Sequence, residues 1–311
     1  MIYIKMHGRL GNQFFQYAFA RTLAEQRQDQ ITIDFSNIEE ESVIDPYGGW
    51  ENSLQYYNIS KDTVIGSVMY TKMQRLAVLF RKHGFRMYRQ FDKGSDNEVR
   101  FNEQIIDKLA NYGILIANGF HEYTDLPLGD LVLDGYFECP KYFAAFDTMI
   151  RNEFTPKYAV QNKNKVLYDK ICCSESVCIT IRRGDFIYKA GVAKAANLCT
   201  KEYFYAGIEY MYQKIREPQI IVFSDDIPWV QENMKFPKGT LYENGSDPVW
   251  EKMQLMSACK HFVISNSTFS WWAQYLSTYK EKIVVAPNKW RREGYDGHSL
   301  YDEKWKLIPV K

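Results

Sequence analysis

Three short polar clusters in the second half of the chain each follow a β-prone run, and together they hold the residue types that grip a diphosphate. The first, Thr180-Ile181-Arg182-Arg183-Gly184-Asp185, supplies two guanidinium groups. A planar guanidinium makes paired, charge-assisted hydrogen bonds to neighbouring phosphate oxygens and does not lose its charge. Alternate residues of a strand share a face, so Thr180 and Arg182 point together, and Arg183 joins them where Gly184 turns the chain. The plain alternative is a surface arginine pair bridged to Asp185. The second cluster, Ser224-Asp225-Asp226, offers carboxylates to a ribose or to the ring N–H and amino group of a guanine; capping of the turn before Pro228 explains the same acids. The third runs from Ser265 through Asn266, Ser267 and Thr268 to Trp271 and Trp272, a hydroxyl-rich turn leading into a helix. The first N–H groups of a helix lack intrahelical partners and favour an anion, although ordinary N-capping uses the same residue types. The two tryptophans are expected to anchor the core.

Two cations, a helix N-terminus and base-reading carboxylates at neighbouring strand ends describe a nucleotide-diphosphate site. A dinucleotide-binding fingerprint fits less well, because Gly8-Arg9-Leu10-Gly11 is not a complete GxGxxG and lies far from the arginine pair in sequence. No GxxxxGK[ST] loop occurs.

The elements that must position these clusters are read from periodicity. Residues 2–5 form a strand, Gly8 to Asn12 a turn, and Phe14, Phe15, Ala18 and Leu23 recur at helical spacing through about residue 26. Residues 31–35 form a second strand. The polar stretch 153–170, with Pro156 and Gln161-Asn162-Lys163-Asn164-Lys165, is read as a linker. Beyond it strands at 177–181, 219–223, 261–265 and 282–286 alternate with helices at 201–215, 251–258 and 268–276, the rhythm of a parallel, doubly wound sheet. Such sheets bind ligands at the carboxyl ends of their strands. The expected organisation is an α/β fold of two Rossmann-like domains facing a cleft, residues 1–165 and 166–311.

Composition limits what this fold can serve. Of 311 residues 46% are hydrophobic and 25% charged, which excludes a largely disordered chain. Lys and Arg number 39 against 38 Asp and Glu, so no global field recruits nucleic acid, and any anion site is local. No apolar run approaches the roughly 20 residues of a spanning helix and the start lacks a signal-peptide core, so a cytoplasmic protein is expected. The six cysteines (139, 172, 173, 178, 199, 259) show no zinc-type spacing and are read as reduced, mostly buried thiols. One segment stands apart. Between residues 72 and 89 lie Lys72, Arg75, Arg81, Lys82, Arg86 and Arg89 and no acid, interleaved with Leu76, Leu79, Phe80, Phe85 and Met87. It is read as a solvated helix face packed on a core, or as a docking face for the inner membrane surface or an anionic acceptor.

At these residues the sequence resembles glycosyltransferase family 11, the α1,2-fucosyltransferases, and more distantly the α1,6- and protein O-fucosyltransferases. The matching segments are Gly8-Arg9-Leu10-Gly11-Asn12-Gln13-Phe14-Phe15-Gln16-Tyr17-Ala18, Arg182-Arg183-Gly184-Asp185, Leu198-Cys199-Thr200-Lys201-Glu202-Tyr203-Phe204 and Ser265 through Trp272. The resemblance implies a GT-B-like pair of domains and inverting, metal-independent transfer of fucose from GDP-fucose to the 2-hydroxyl of a galactoside glycan, with no cofactor. It implies donor binding by Asn12, Arg182, Arg183, Ser224, Asp225, Asp226, Asn266, Ser267 and Thr268, with Arg182 holding the diphosphate. The family usually has His where this chain has Thr180, a swap expected to fall inside the donor pocket. That leaves a different GDP-sugar, such as GDP-mannose, or a non-catalytic nucleotide- or glycan-binding module as alternatives. Asp185 is the first candidate for the base, with a salt bridge to Arg183 as its rival role; Glu138, Asp134 or the diphosphate itself are the other candidates.

Overall fold

The structure is a computed structural model that describes residues 1–45, 48–94, 97–184, 197–291 and 297–310. The chain divides into two compact units, one covering Met1–Thr155 and one beginning at Pro156. In the first unit the described strands lie in the order β3-β2-β1-β5-β4: β1 (Ile2–Lys5), β2 (Ile31–Asp34), β3 (Thr63–Ile65), β4 (Ile114–Leu115) and β5 (Leu131–Leu133), each pair parallel. Helix α1 (Leu10–Arg27) follows β1 through a turn in which Gly8 has φ +71°. A side chain at Gly8 would be strained in that left-handed conformation and would collide with Asn12. Two buried glutamines lock the turn. Gln16 Nε2 donates to the His7 carbonyl and Gln16 Oε1 accepts the His7 N–H, at 2.7 and 2.9 Å. Gln13 Nε2 donates to the Glu51 carbonyl while its Oε1 accepts from the Ser53 N–H. Phe14 and Phe154 stack beneath, ring centroids 3.9 Å apart.

Helices α2 (Ser36–Ile44), α3 (Lys72–Phe91), α4 (Asn97–Ala110) and α5 (Asp147–Glu153) complete this unit. α3 begins with a capping box, Thr71 accepting from the Gln74 N–H and Gln74 from the Thr71 N–H. Its Ala77 packs with Phe101, Ile105, Ile106 and Leu109 of α4 in one apolar cluster.

The second unit holds a sheet in the order β11-β10-β9-β6-β7-β8: β6 (Glu175–Ile181), β7 (Pro218–Ser224), β8 (Leu241–Tyr242), β9 (His261–Val263), β10 (Val284–Pro287) and β11 (Lys306–Ile308), again parallel. Helices α6 (Lys165–Cys173), α7 (Lys201–Lys214), α8 (Ile227–Asn233), α9 (Val249–Ser257) and α10 (Thr268–Leu276) accompany it. β6 is buried from Ser176 onward, as a central parallel strand covered on both faces must be. Strand order reverses between β6 and β9, since β7 and β8 follow β6 on one side and β9 to β11 on the other. Ligands of doubly wound sheets lie at such a reversal, outside the carboxyl ends of the strands.

The polar stretch expected as a linker is corrected in part: α6 occupies its end, because Ile171 packs inward while the lysines face water. Of the cysteines, Cys139, Cys178 and Cys259 are buried thiols, but Cys172 and Cys173 are exposed on the last turn of α6.

Candidate donor-binding site

Register brings the three clusters together. Ile181 pairs with Ser224 and Ile179 with Val263, so β9, β6 and β7 end side by side. Arg182 leaves the end of β6 and its Nη1 lies 2.6 Å from Asp225 Oδ2 at the end of β7. Asp225 Oδ1 accepts the Arg183 N–H at 2.8 Å. One carboxylate therefore fixes both the guanidinium of Arg182 and the backbone of its neighbour. Gly184 makes room for this: a Cβ there would sit 2.6 Å from Asp225 Oδ2.

Arg183 points elsewhere. Its Nε donates to Asp226 Oδ2 at 3.1 Å and its guanidinium carbon lies 3.3 Å from the centroid of the Trp229 ring, with Lys201 Nζ 5.2 Å from the same centroid. Asp226 also caps α8, its Oδ1 accepting the Trp229 N–H, so capping and pairing with arginine coexist in one side chain. Ser224 is buried, donating to the Ile181 carbonyl and accepting the Asp226 N–H.

Thr180 is 4% exposed, and its Oγ1 accepts the Ser265 N–H at 3.0 Å. The hydroxyl ties β6 to the start of the third cluster. Asn266 is likewise buried, its Nδ2 donating to the Trp290 carbonyl and its Oδ1 accepting from Cys199 Sγ. Tyr203, in the segment after Cys199, donates to the Ile264 carbonyl at 2.6 Å, and burial pushes its phenol well above the ordinary value. The 198–204 segment thus buttresses the turn that delivers α10. Ser267 is the N-cap residue of α10 in extended conformation, but its side chain makes no capping hydrogen bond; Ser267 and Thr268 are half-buried. A helix start of this kind carries partial positive charge. Trp271 and Trp272 are core residues, and Trp271 Nε1 donates to the Leu300 carbonyl.

Asn12 lies on the first turn of α1 in the other unit, against Gly8. Asp185 lies outside the described residues. Glu138 is 3% exposed. Asp134 belongs to a cluster that the sequence did not reveal, at the carboxyl ends of β1 and β5. His7 Nε2 lies 2.8 Å from Asp134 Oδ1, Asn37 Nδ2 donates to His7 Nδ1, and Arg81 Nη1 reaches Asp134 Oδ2 at 3.0 Å. Burial works to raise the Asp134 carboxyl, but the hydrogen bond from His7 and the charge of Arg81 outweigh it and hold the group far below the ordinary carboxylate range. Burial together with Asp134 and Asp34 pushes the Tyr70 phenol up to about 12. Trp229 and Lys201 are the other side chains missed; the Asp226-Ile227-Pro228-Trp229 spacing, a cap followed by Pro, was the available signal for Trp229.

The profile of glycosyl transferase family 11 matches residues 96–308. The chain belongs to that family. Among family 11 relatives, an alpha-1,2-colitosyltransferase of Escherichia coli is 28% identical, the match covering 99% of each chain. The O-antigen biosynthesis glycosyltransferase WbnK of Escherichia coli is 29% identical over 93% of this chain and 94% of its own. A galactoside alpha-(1,2)-fucosyltransferase 1 of Saimiri boliviensis boliviensis is 24% identical over 50% of this chain and 45% of its own. Among solved structures, NodZ alpha-1,6-fucosyltransferase soaked with GDP-fucose superposes with a TM-score of 0.52 over 88% of this chain and 92% of that one, at 9% identity. The fold of this family 11 glycosyltransferase is the expected GT-B-like α/β architecture, with a parallel sheet in each unit.

Proposed function

We propose that this family 11 glycosyltransferase moves fucose from GDP-fucose to the 2-hydroxyl of a galactoside acceptor, with inversion at the anomeric carbon and without a metal. The observation that carries the reading is that β6, which Arg182 and Arg183 follow, lies between β7, which leads to Asp225 and Asp226, and β9, which leads to α10, at the strand-order reversal of the second sheet. Breaking the bond between sugar and GDP builds negative charge on the leaving diphosphate. A guanidinium carries five N–H donors, so Arg182 can keep Asp225 on Nη1 and turn others towards phosphate. Ser267, Thr268 and the first amides of α10 face the same charge, the role a divalent ion fills in other transferases. Each well-placed donor lowers such a barrier by about 3 kcal/mol. Asp225 and Asp226 serve in this reading chiefly to aim the arginines, with their outer lone pairs left for the nucleoside. Asp185 is assigned as the base that takes the acceptor proton as the new bond forms.

A second reading keeps the site and changes the sugar. It is favoured by the colitosyltransferase relative, whose match spans the whole chain, and by Thr180, which fills the usual His position with a smaller hydroxyl turned into the protein. The test is GDP release with GDP-fucose, a GDP-colitose donor and GDP-mannose, each with lactose or a galactose-terminated glycan, with and without EDTA. Turnover with GDP-fucose that survives chelation and is lost in D185N supports the first reading. Turnover confined to another donor moves the assignment to that sugar, and complete loss with EDTA removes the metal-free mechanism.

A further inference from the structure

Helix α3 presents three faces of different chemistry. Its inward face is buried or half-buried: Ala77, Val78, Phe85 and Tyr88 pack in the cluster with α4, Arg81 reaches Asp134 and Gln74 donates to the Asp130 carbonyl. The rest of the helix is open, yet it is not polar throughout. Met73 is 55% exposed, Leu76 59%, Phe80 61%, Met87 65% and Phe91 87%. At 100° per residue these five fall within an arc of about 60°, on the side of the helix turned away from the core stripe. A packed helix needs one apolar stripe; this one has two, and the second meets solvent. Beside it runs a basic stripe, Lys72, Arg75, Lys82, Arg86 and Arg89, all exposed, and the helix contains no acidic residue. Gly84 and His83 fill borders between the stripes, and the exposed Leu79 lies within the basic one.

We infer that α3 docks this protein on the surface of an anionic lipid bilayer, its second apolar stripe sinking to the level of the headgroups and its basic stripe lying against lipid phosphates. An exposed stripe of long apolar side chains bordered by cations is the residue pattern of helices that lie in the interfacial plane, where apolar burial and attraction to anionic lipid add together. A protein partner would meet the apolar stripe equally well, but five cations unrelieved by an acid call for a surface of dense negative charge. Among the described residues no helix is long and apolar enough to cross a membrane, so contact of this kind is peripheral. The inference is independent of which sugar the second unit transfers.

The test uses the full chain in co-sedimentation with vesicles of phosphatidylcholine alone and of phosphatidylcholine mixed with phosphatidylglycerol. Wild type is expected on the mixed vesicles and in the supernatant with pure phosphatidylcholine, and raised salt should release most of it. The K72Q/R75Q/R86Q variant should bind the mixed vesicles on the order of a hundredfold more weakly. The L76S/F80S variant should also be lost from them, while both variants keep the wild-type melting temperature, since the side chains face water. Equal binding to both vesicle types, or variants that sediment as wild type does, would overturn the inference. So would light scattering that shows a dimer which L76S/F80S converts to monomer, because the stripe would then be covered by a second copy.

Discussion

Asp225 holds the Arg182 guanidinium with one oxygen and the Arg183 amide with the other, and Gly184 leaves it the space to do so. The arginine proposed to hold the diphosphate is therefore held in advance, and freezing its many rotamers is not left to the substrate. D225N keeps the shape but removes the charge that aims Arg182. It should lower kcat/KM for the GDP-sugar by about 10- to 100-fold with little change in melting temperature, checked by steady-state kinetics beside a thermal melt. An unchanged kcat/KM would mean that Arg182 finds its position unaided. The strand ends that carry Arg182, Asp225 and the turn into α10 were legible in the sequence, and the register sets those strands side by side. The inward-facing roles were not. Thr180 and Asn266 each meet a buried backbone group, Ser265 N–H in one case and Trp290 carbonyl in the other. Such partners are distant in sequence and leave no local signal. Gln13 and Gln16 are alike in this respect: polar residues in a resembling segment, spent on fastening the first turn rather than on a ligand.

At the level of elements, the Asp134 carboxylate joins β5 to β1 through His7 and to α3 through Arg81. Its pKa is depressed in the folded protein, so its contribution to stability is complete above the unfolded value near 4 and is lost as pH falls through that value towards the folded one. D134N should destabilise the protein by about 1–3 kcal/mol at neutral pH, and the gap from wild type should close as pH drops below about 4, read by urea unfolding across a pH series. A gap independent of pH down to the acid limit would show that packing, and not charge, is what Asp134 supplies. The central strands of the second sheet were legible, since β6 and β7 are largely apolar runs, whereas β5, buried beside β1 in the first sheet, spans only three residues and left too short a signal. The short edge strands β8 and β11 were not: two or three residues, mostly half-exposed or exposed, carry neither an apolar run nor a clear alternation. α6 was hidden by its lysines and by the polar run before it.

Each unit has its own parallel sheet and its own core, and every described side chain assigned to the diphosphate except Asn12 lies in the second. Residues 156–311 expressed alone should therefore fold and bind GDP within about tenfold of the full chain, measured by calorimetry, while residues 1–155 should show no binding. Loss of affinity on a larger scale would make the first unit an essential part of the nucleotide site. The same separation gives one contact a practical meaning. A guanidinium resting 3.3 Å from the centre of the Trp229 ring perturbs the excited state of that indole, and Arg183 is one of the groups a diphosphate would draw aside. A diphosphate that drew Arg183 off the ring would change the Trp229 emission, an optical reading of nucleotide occupancy that needs no dye and no acceptor sugar.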